Sequence, residues 1–261
     1  MSERVAKTGK TEGEALFERY LQEMKYVYKF EKTFPGKTKK PDYSVQRNGE
    51  YLFEVKDFEE SEPTLGFGAY DPYPLIRQKI NQAREKFQEF KEFPCSLVLR
   101  NRGRALVHAD SPHIMLGAMY GDAGFTLPVN VETGQTGPLE PAFLGRGKMI
   151  RPGIGTPQNT TINALITLRN YAVGMKRAAK IVRKYRRLSI EDVVALAERQ
   201  YPGFDLDETK VCVIVWESAV ANKPLPRDLF NGPYDERWGV NGDSQGLTFR
   251  GEKMRELLEE D

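Results

Sequence analysis

Asp42, Glu54 and Lys56 are the residues whose types and spacing could do chemistry together. Hydrolysis of a phosphodiester needs a divalent cation to neutralise developing charge and a water held for in-line attack, so carboxylates must converge with a cationic side chain. Glu54 and Lys56 lie two residues apart in Tyr51-Leu52-Phe53-Glu54-Val55-Lys56. On an extended strand they share a face, while Tyr51, Phe53 and Val55 turn to the other. Asp42 opens the preceding segment, so its carboxylate can approach Glu54 and form a hard-oxygen site of the kind Mg²⁺ prefers over nitrogen ligands. Lys56 beside them would hold the attacking water or a phosphate oxygen, and its ammonium favours ionised carboxylates when no cation is bound. The bland alternative is a solvated strand face with a surface ion pair of little energy.

These three residues need a hairpin to bring them together. Tyr43 to Arg47 and Tyr51 to Phe58 alternate around Asn48-Gly49, a strong short-range hairpin signal. A regular two-residue turn there pairs Arg47 with Glu50 and Asp42 with Val55, which sends Asp42 to the wrong face. Pairing Arg47 with Tyr51 instead sets Tyr43 against Val55, Val45 against Phe53 and Asp42 against Lys56. A three-residue loop or a bulge is therefore expected.

Around the hairpin, Phe17, Leu21 and Met24 recur at helical spacing, and Thr11 with Glu14 reads as a capping box, which predicts a helix from Thr11 to Met24. Lys25 to Phe30 alternates like a strand, and a basic run, Lys37, Lys39 and Lys40, leads into Pro41-Asp42. The acidic, glycine- and proline-rich stretch after Asp57 reads as an exposed loop. Pro74 to Phe90 is predicted as a helix on the apolar spacing of Ile76, Ile80, Ala83, Phe87 and Phe90. Cys95 to Arg100 follows as an apolar strand and Arg104 to His108 as another, while Pro112 to Gly155 shows no period. Beyond it the sequence predicts a strand at Ile162 to Leu168, helices at Ala172 to Arg187 and Ile190 to Arg199, a strand at Val211 to Trp216, an unpatterned tail from Lys223 to Trp238, and a short helix at Glu252 to Glu260.

Pro41-Asp42 followed by Glu54-Val55-Lys56 on the next strand resembles the PD-(D/E)XK nuclease superfamily, and the order of elements from residue 11 to 101 is similar to its αβββαβ core. The resemblance implies an α/β fold with a restriction-endonuclease-like core, a mixed central sheet and helical and loop elaborations from 102 to 261, all in one elaborated domain. It implies that Asp42, Glu54 and the Val55 carbonyl bind Mg²⁺, with Mn²⁺ as a substitute, and that Lys56 orients the nucleophilic water. A glutamate of the first helix completes the metal site in such nucleases, and Phe17-Glu18-Arg19-Tyr20-Leu21 looks like that position, pointing to Glu18. The family also places a basic or amide residue on the helix after the lysine strand, for which Arg77, Lys79 and Gln82 are candidates.

A net charge of +2 gives no global attraction to polyanions, so any nucleic-acid surface must be local. Lys176, Arg177, Lys180, Arg183 and Lys184 concentrate charge on one predicted helix, which suits tracking a phosphate backbone and equally suits an ordinary solvated face. Cys95 and Cys212 sit in apolar runs, as buried thiols of a reducing compartment do. His108 and His113 do not make a zinc pair. No stretch approaches the roughly 18 apolar residues of a membrane span, and a cytoplasmic location with no membrane partner is expected. The sequence thus leads to a Mg²⁺-dependent nuclease, DNA before RNA as substrate, with genome defence as an analogy and a homodimer or larger defence complex left open. A non-catalytic nucleic-acid-binding or assembly module on the same fold is the alternative.

Overall fold

The structure, a computed structural model, describes residues 9–58, 73–101, 109–151, 156–185, 187–240 and 247–249. The predicted strand at 104–108 and helix at 252–260 lie outside these residues. Chain contacts divide it into two compact units, one formed by Met1–Leu168 with Val213–Asp261 and the other by Arg169–Cys212.

The larger unit is α/β. Helix α1 (Glu12–Glu23) starts at Thr11, whose hydroxyl accepts from the Glu14 N–H while the Glu14 side chain accepts from the Thr11 N–H, closing the capping box. Strands β1 (Val27–Phe30), β2 (Tyr43–Gln46) and β3 (Glu50–Asp57) form an antiparallel meander. Helix α2 (Tyr73–Phe87), extended by a 3₁₀ turn at Gln88–Phe90, crosses over to β4 (Cys95–Arg100), which lies parallel to β3. Strand β7 (Ile162–Ala172) is parallel to β4, and β8 (Thr209–Glu217) is parallel to β9 (Glu236–Val240), which pairs antiparallel with β10 (Leu247–Phe249). The mixed sheet has the order β1-β2-β3-β4-β7-β8-β9-β10.

Each sheet face is buried by a different helix. Phe17 of α1 packs 5.3 Å from the Tyr43 ring and 5.4 Å from the Phe53 ring, edge-on to the first. On the opposite face Leu52, Leu97 and Leu99 join Ile76, Ile80, Ala83 and Phe87 of α2 in one apolar cluster. Strict alternation on β3 therefore assigns Phe53, Val55 and Asp57 to the α1 side and Leu52, Glu54 and Lys56 to the α2 side.

The region between 112 and 151 departs from the unpatterned stretch read from sequence. It contains helix α3 (Pro112–Tyr120) and a separate two-stranded ribbon of β5 (Asp122–Thr126) and β6 (Glu140–Leu144). Met115 to Tyr120 are all buried, so the helix has no polar face to generate a 3.6-residue period. The tail also contains an unpredicted strand, β9, because Trp238 stacks on Trp216 with ring centroids 5.8 Å apart.

The smaller unit holds helices α4 (Val173–Lys184) and α5 (Ile190–Gln200), packed through Ala178, Ile181, Val193 and Ala197. Ser189 caps α5 by accepting from the Asp192 N–H. Gly174 admits the chain preceding β8 so closely that a Cβ there would lie 2.0 Å from the Asp205 carbonyl oxygen. Both cysteines are buried and neither forms a disulfide. Among the described residues, no helix is long and apolar enough to cross a membrane.

Candidate functional site

The β2–β3 hairpin sets the geometry of the site. Gln46 pairs with Glu50, leaving Arg47, Asn48 and Gly49 as a three-residue loop in which Asn48 (φ 50°) and Gly49 (φ 147°) take positive φ. The loop length is as expected from the sequence, but the register moves the other way. Tyr43 faces Phe53 and Val45 faces Tyr51, rather than Val55 and Phe53. The two alternatives differ by two residues and so share a parity, which is why both keep Tyr43 and Val45 in the core and put Asp42 on the Glu54 face.

Strand β2 begins only at Tyr43, opposite Phe53, while β3 continues to Asp57 against β4. Leu52 N–H donates to Pro94 on the β4 side, so by alternation the Val55 amide points toward the edge that β2 has vacated. A buried amide there requires an acceptor. Asp42 supplies it, with Oδ2 accepting from Val55 N–H at 2.7 Å. Its own carbonyl accepts from Glu31 N–H at 2.9 Å, fixing the backbone from the opposite side. The Val55 carbonyl turns to the same vacated edge.

Glu54 is only 2 % exposed. Lys56 Nζ donates to its Oε1 at 2.6 Å. Lys86, on the last turn of α2, donates to Asp42 Oδ1 at 2.8 Å and closes on Glu54 Oε2, which has the ion pair but no aligned hydrogen bond. Burial pushes the Glu54 carboxyl above its ordinary range, and the charge of Asp42 pushes it further; Lys56 and Lys86 pull it back without cancelling the rise. For Lys86, burial disfavours its charge, but Glu54 and Asp42 outweigh burial and the net direction is upward.

Lys86 was not among the sequence candidates. It continues the flank marked by Lys79 and Gln82, at helical offsets of seven and four residues, so i, i+3, i+7 spacing was the available signal. Gln82 is exposed and Lys79 half-buried, and among the described residues no hydrogen bond joins either to Asp42 or Glu54. Arg77 Nη2 donates to the Gly117 carbonyl at 2.7 Å and its guanidinium lies over the Tyr73 ring, which ties α2 to α3.

Glu18 is not brought to the pair. It sits on α1, which covers the opposite sheet face, where it contacts Lys10 and accepts from the Tyr28 hydroxyl at 2.9 Å. The Lys10 contact holds its carboxyl below the usual range. Among the described residues no group of three His, Cys, Asp or Glu stands where it could hold a metal ion. The candidate metal donors are thus two carboxylates and the Val55 carbonyl, an all-oxygen set consistent with Mg²⁺, which keeps several waters and often uses one or two carboxylates.

On α4, Lys176, Lys180, Arg183 and Lys184 are exposed; Arg177 is half-buried, pairs with Glu208 at 2.6 Å and covers the Tyr201 ring. Four cations are therefore exposed along about two and a half turns, and the fifth is part of the packing of the smaller unit. Scanned against protein-family models, curated proteins and solved structures, the chain matches none of them.

Proposed function

We propose that this chain is a Mg²⁺-dependent nuclease that hydrolyses phosphodiester bonds, with DNA as substrate and internal cleavage as its mode, on a restriction-endonuclease-like core of the PD-(D/E)XK type. The observation carrying the proposal is the convergence of Asp42, a nearly buried Glu54, Lys56 and Lys86 at the point where β2 leaves β3. A desolvated pair of carboxylates is costly for a fold to keep, and a cation-binding role accounts for that cost.

Asp42 Oδ1, Glu54 Oε2 and the Val55 carbonyl would hold the ion. Bound Mg²⁺ supplies charge neutralisation at the phosphate and lowers the pKa of water. Lys56, held on Glu54, is placed to orient a water or a phosphate oxygen by donating from Nζ. Val55 N–H fixes Asp42 Oδ2, while Oδ1 accepts from Lys86. Lys86, which shares that oxygen, would supply a second cation from α2 within reach of a phosphate at the site. The exposed cations of α4 add an electrostatic surface for the nucleic-acid backbone.

A second reading has one observation in its favour. Lys86 already neutralises both carboxylates, so the cluster satisfies itself as an ion-pair network and could serve a non-catalytic nucleic-acid-binding or assembly module. Incubating the protein with supercoiled plasmid, linear duplex and RNA, in Mg²⁺ or EDTA, separates the two. Cleavage that requires Mg²⁺ and disappears in Asp42→Ala and Lys56→Ala supports the nuclease; equal cleavage by all three proteins overturns the assignment of this site, and no cleavage by any of them supports the second.

A further inference from the structure

Away from the carboxylates, the larger unit contains a cavity of about 410 Å³, within the size range of small-molecule sites. Its lining includes Asn163, Ser218, Leu225, Pro226, Arg227 and Val240. Asn163 and Ser218 are 1 % and 8 % exposed, yet Asn163 Nδ2 and Ser218 Oγ have no hydrogen-bond partner. Two residues of one cavity wall that each carry a buried, unpaired polar atom are unusual, because buried polar groups are almost always paired.

The backbone explains how they arrive there. The β4–β7 register shifts between Cys95 and Ser96, whose partners are Ile162 and Ala164, so Asn163 is the extra residue of a β-bulge. Bulges re-aim a side chain and recur beside functional sites. Ser96 donates its hydroxyl to Asn163 Oδ1, which fixes the amide and leaves the NH₂ unpaired. Ser218 is held opposite by its own N–H, which donates to the Asn163 carbonyl at 2.9 Å. Glu217 also lines the cavity, and its carboxylate is compensated by Arg237 at 2.8 Å, so it does not set the charge there. What remains is donor capacity from an amide and a hydroxyl, the cation of Arg227, and apolar walls.

We infer that this cavity binds a small molecule carrying an oxyanion, carboxylate or phosphate, on an apolar or planar body. The oxyanion accepts from Asn163 Nδ2 and Ser218 Oγ with Arg227 adding charge, while the body lies against Leu225, Pro226 and Val240. The inference stands on a bulge and a cavity that the nuclease reading does not use.

Calorimetric titration of the intact protein in EDTA, with UMP, benzoate and uridine as probes, tests it. Binding of UMP or benzoate is expected, with uridine at least about tenfold weaker because it lacks the oxyanion. A response to UMP alone identifies phosphate as the head group, and to benzoate alone a carboxylate. Asn163→Asp keeps the acceptor for Ser96 and replaces the donor with a repelling oxygen, so affinity should fall by about tenfold or more. Ser218→Ala removes an unpaired hydroxyl and should weaken binding several-fold with thermal stability unchanged or raised. The inference is overturned if neither UMP nor benzoate binds at millimolar concentration, if uridine binds as well as UMP, or if binding survives in both variants.

Discussion

Replacing Lys86 with methionine removes a charge and keeps most of the aliphatic length. Its ammonium lies 2.8 Å from Asp42 Oδ1 and contacts Glu54, whose side chain is 3 % exposed. Removing one partner of a buried pair costs about 3–5 kcal/mol. Lys86 itself is 22 % exposed and Lys56 still contacts Glu54, so the lower bound, about 3 kcal/mol, is expected near pH 8. The pH dependence has a definite sign. The folded-state pKa of Glu54 is raised from 4.5 by burial and Asp42, so its favourable contribution to folding is full below 4.5 and is lost as pH rises through the folded value. Lys86 is one of the charges that limit that rise, and its removal moves the folded value higher. In the variant Glu54 therefore stays neutral to higher pH, and the stability loss shrinks as pH falls from about 8 to about 5. Lys86 is raised above 10.5, so its own ionisation is constant through this window. Urea denaturation at the two pH values, followed by the fluorescence of buried Trp216, measures both losses. A loss below about 1 kcal/mol at pH 8, or one equal at both pH values, would show that the cluster behaves as a solvated surface pair and would refute the reasoning.

Three further outcomes are expected. Lys56→Ala should lower a Mg²⁺-dependent cleavage rate by about 10²–10⁴-fold while leaving the far-ultraviolet dichroism spectrum unchanged, as measured in single-turnover assays. Gly174→Ala places a Cβ 2.0 Å and 2.4 Å from the Asp205 and Leu206 carbonyl oxygens, both backbone atoms that cannot swing aside. It should destabilise the smaller unit by about 1–3 kcal/mol in a thermal melt. Replacing Lys176, Lys180 and Lys184 together with glutamine should reduce the slope of log affinity against log salt for duplex DNA by about 2–3, and an unchanged slope would remove α4 from the binding surface.

The sequence made the placement of Asp42 legible through parity. Tyr43 and Val45 can enter the core only in registers that put Asp42 on the Glu54 face, so the face was readable although the pairing differed by two residues. Residue alternation cannot distinguish registers two apart; the choice depends on how Phe17 packs between Tyr43 and Phe53, which is tertiary. Lys86 was less legible because an amphipathic helix carries many cations and only its docking angle decides which one reaches a strand. Glu18 matched by helix position, yet its contacts with Lys10 and Tyr28 lie on the α1 side of the sheet. Helix α3 escaped notice because complete burial erases the alternation from which surface helices are recognised. The bulge at Asn163 left no sequence trace, since Ile162 to Leu168 reads as an unbroken strand.

The three-residue hairpin tip has an evolutionary consequence. Gln46 already pairs with Glu50, so deleting Arg47 would leave Asn48-Gly49 as a two-residue turn without moving a single strand pair. Insertions would likewise be absorbed outside the ladder. Gly49, the last residue of the tip, lies five residues from Glu54, about 17 Å along the strand. Descendants of this chain can therefore lengthen, shorten or rewrite the tip, and so vary what it touches, while inheriting the carboxylate cluster unchanged.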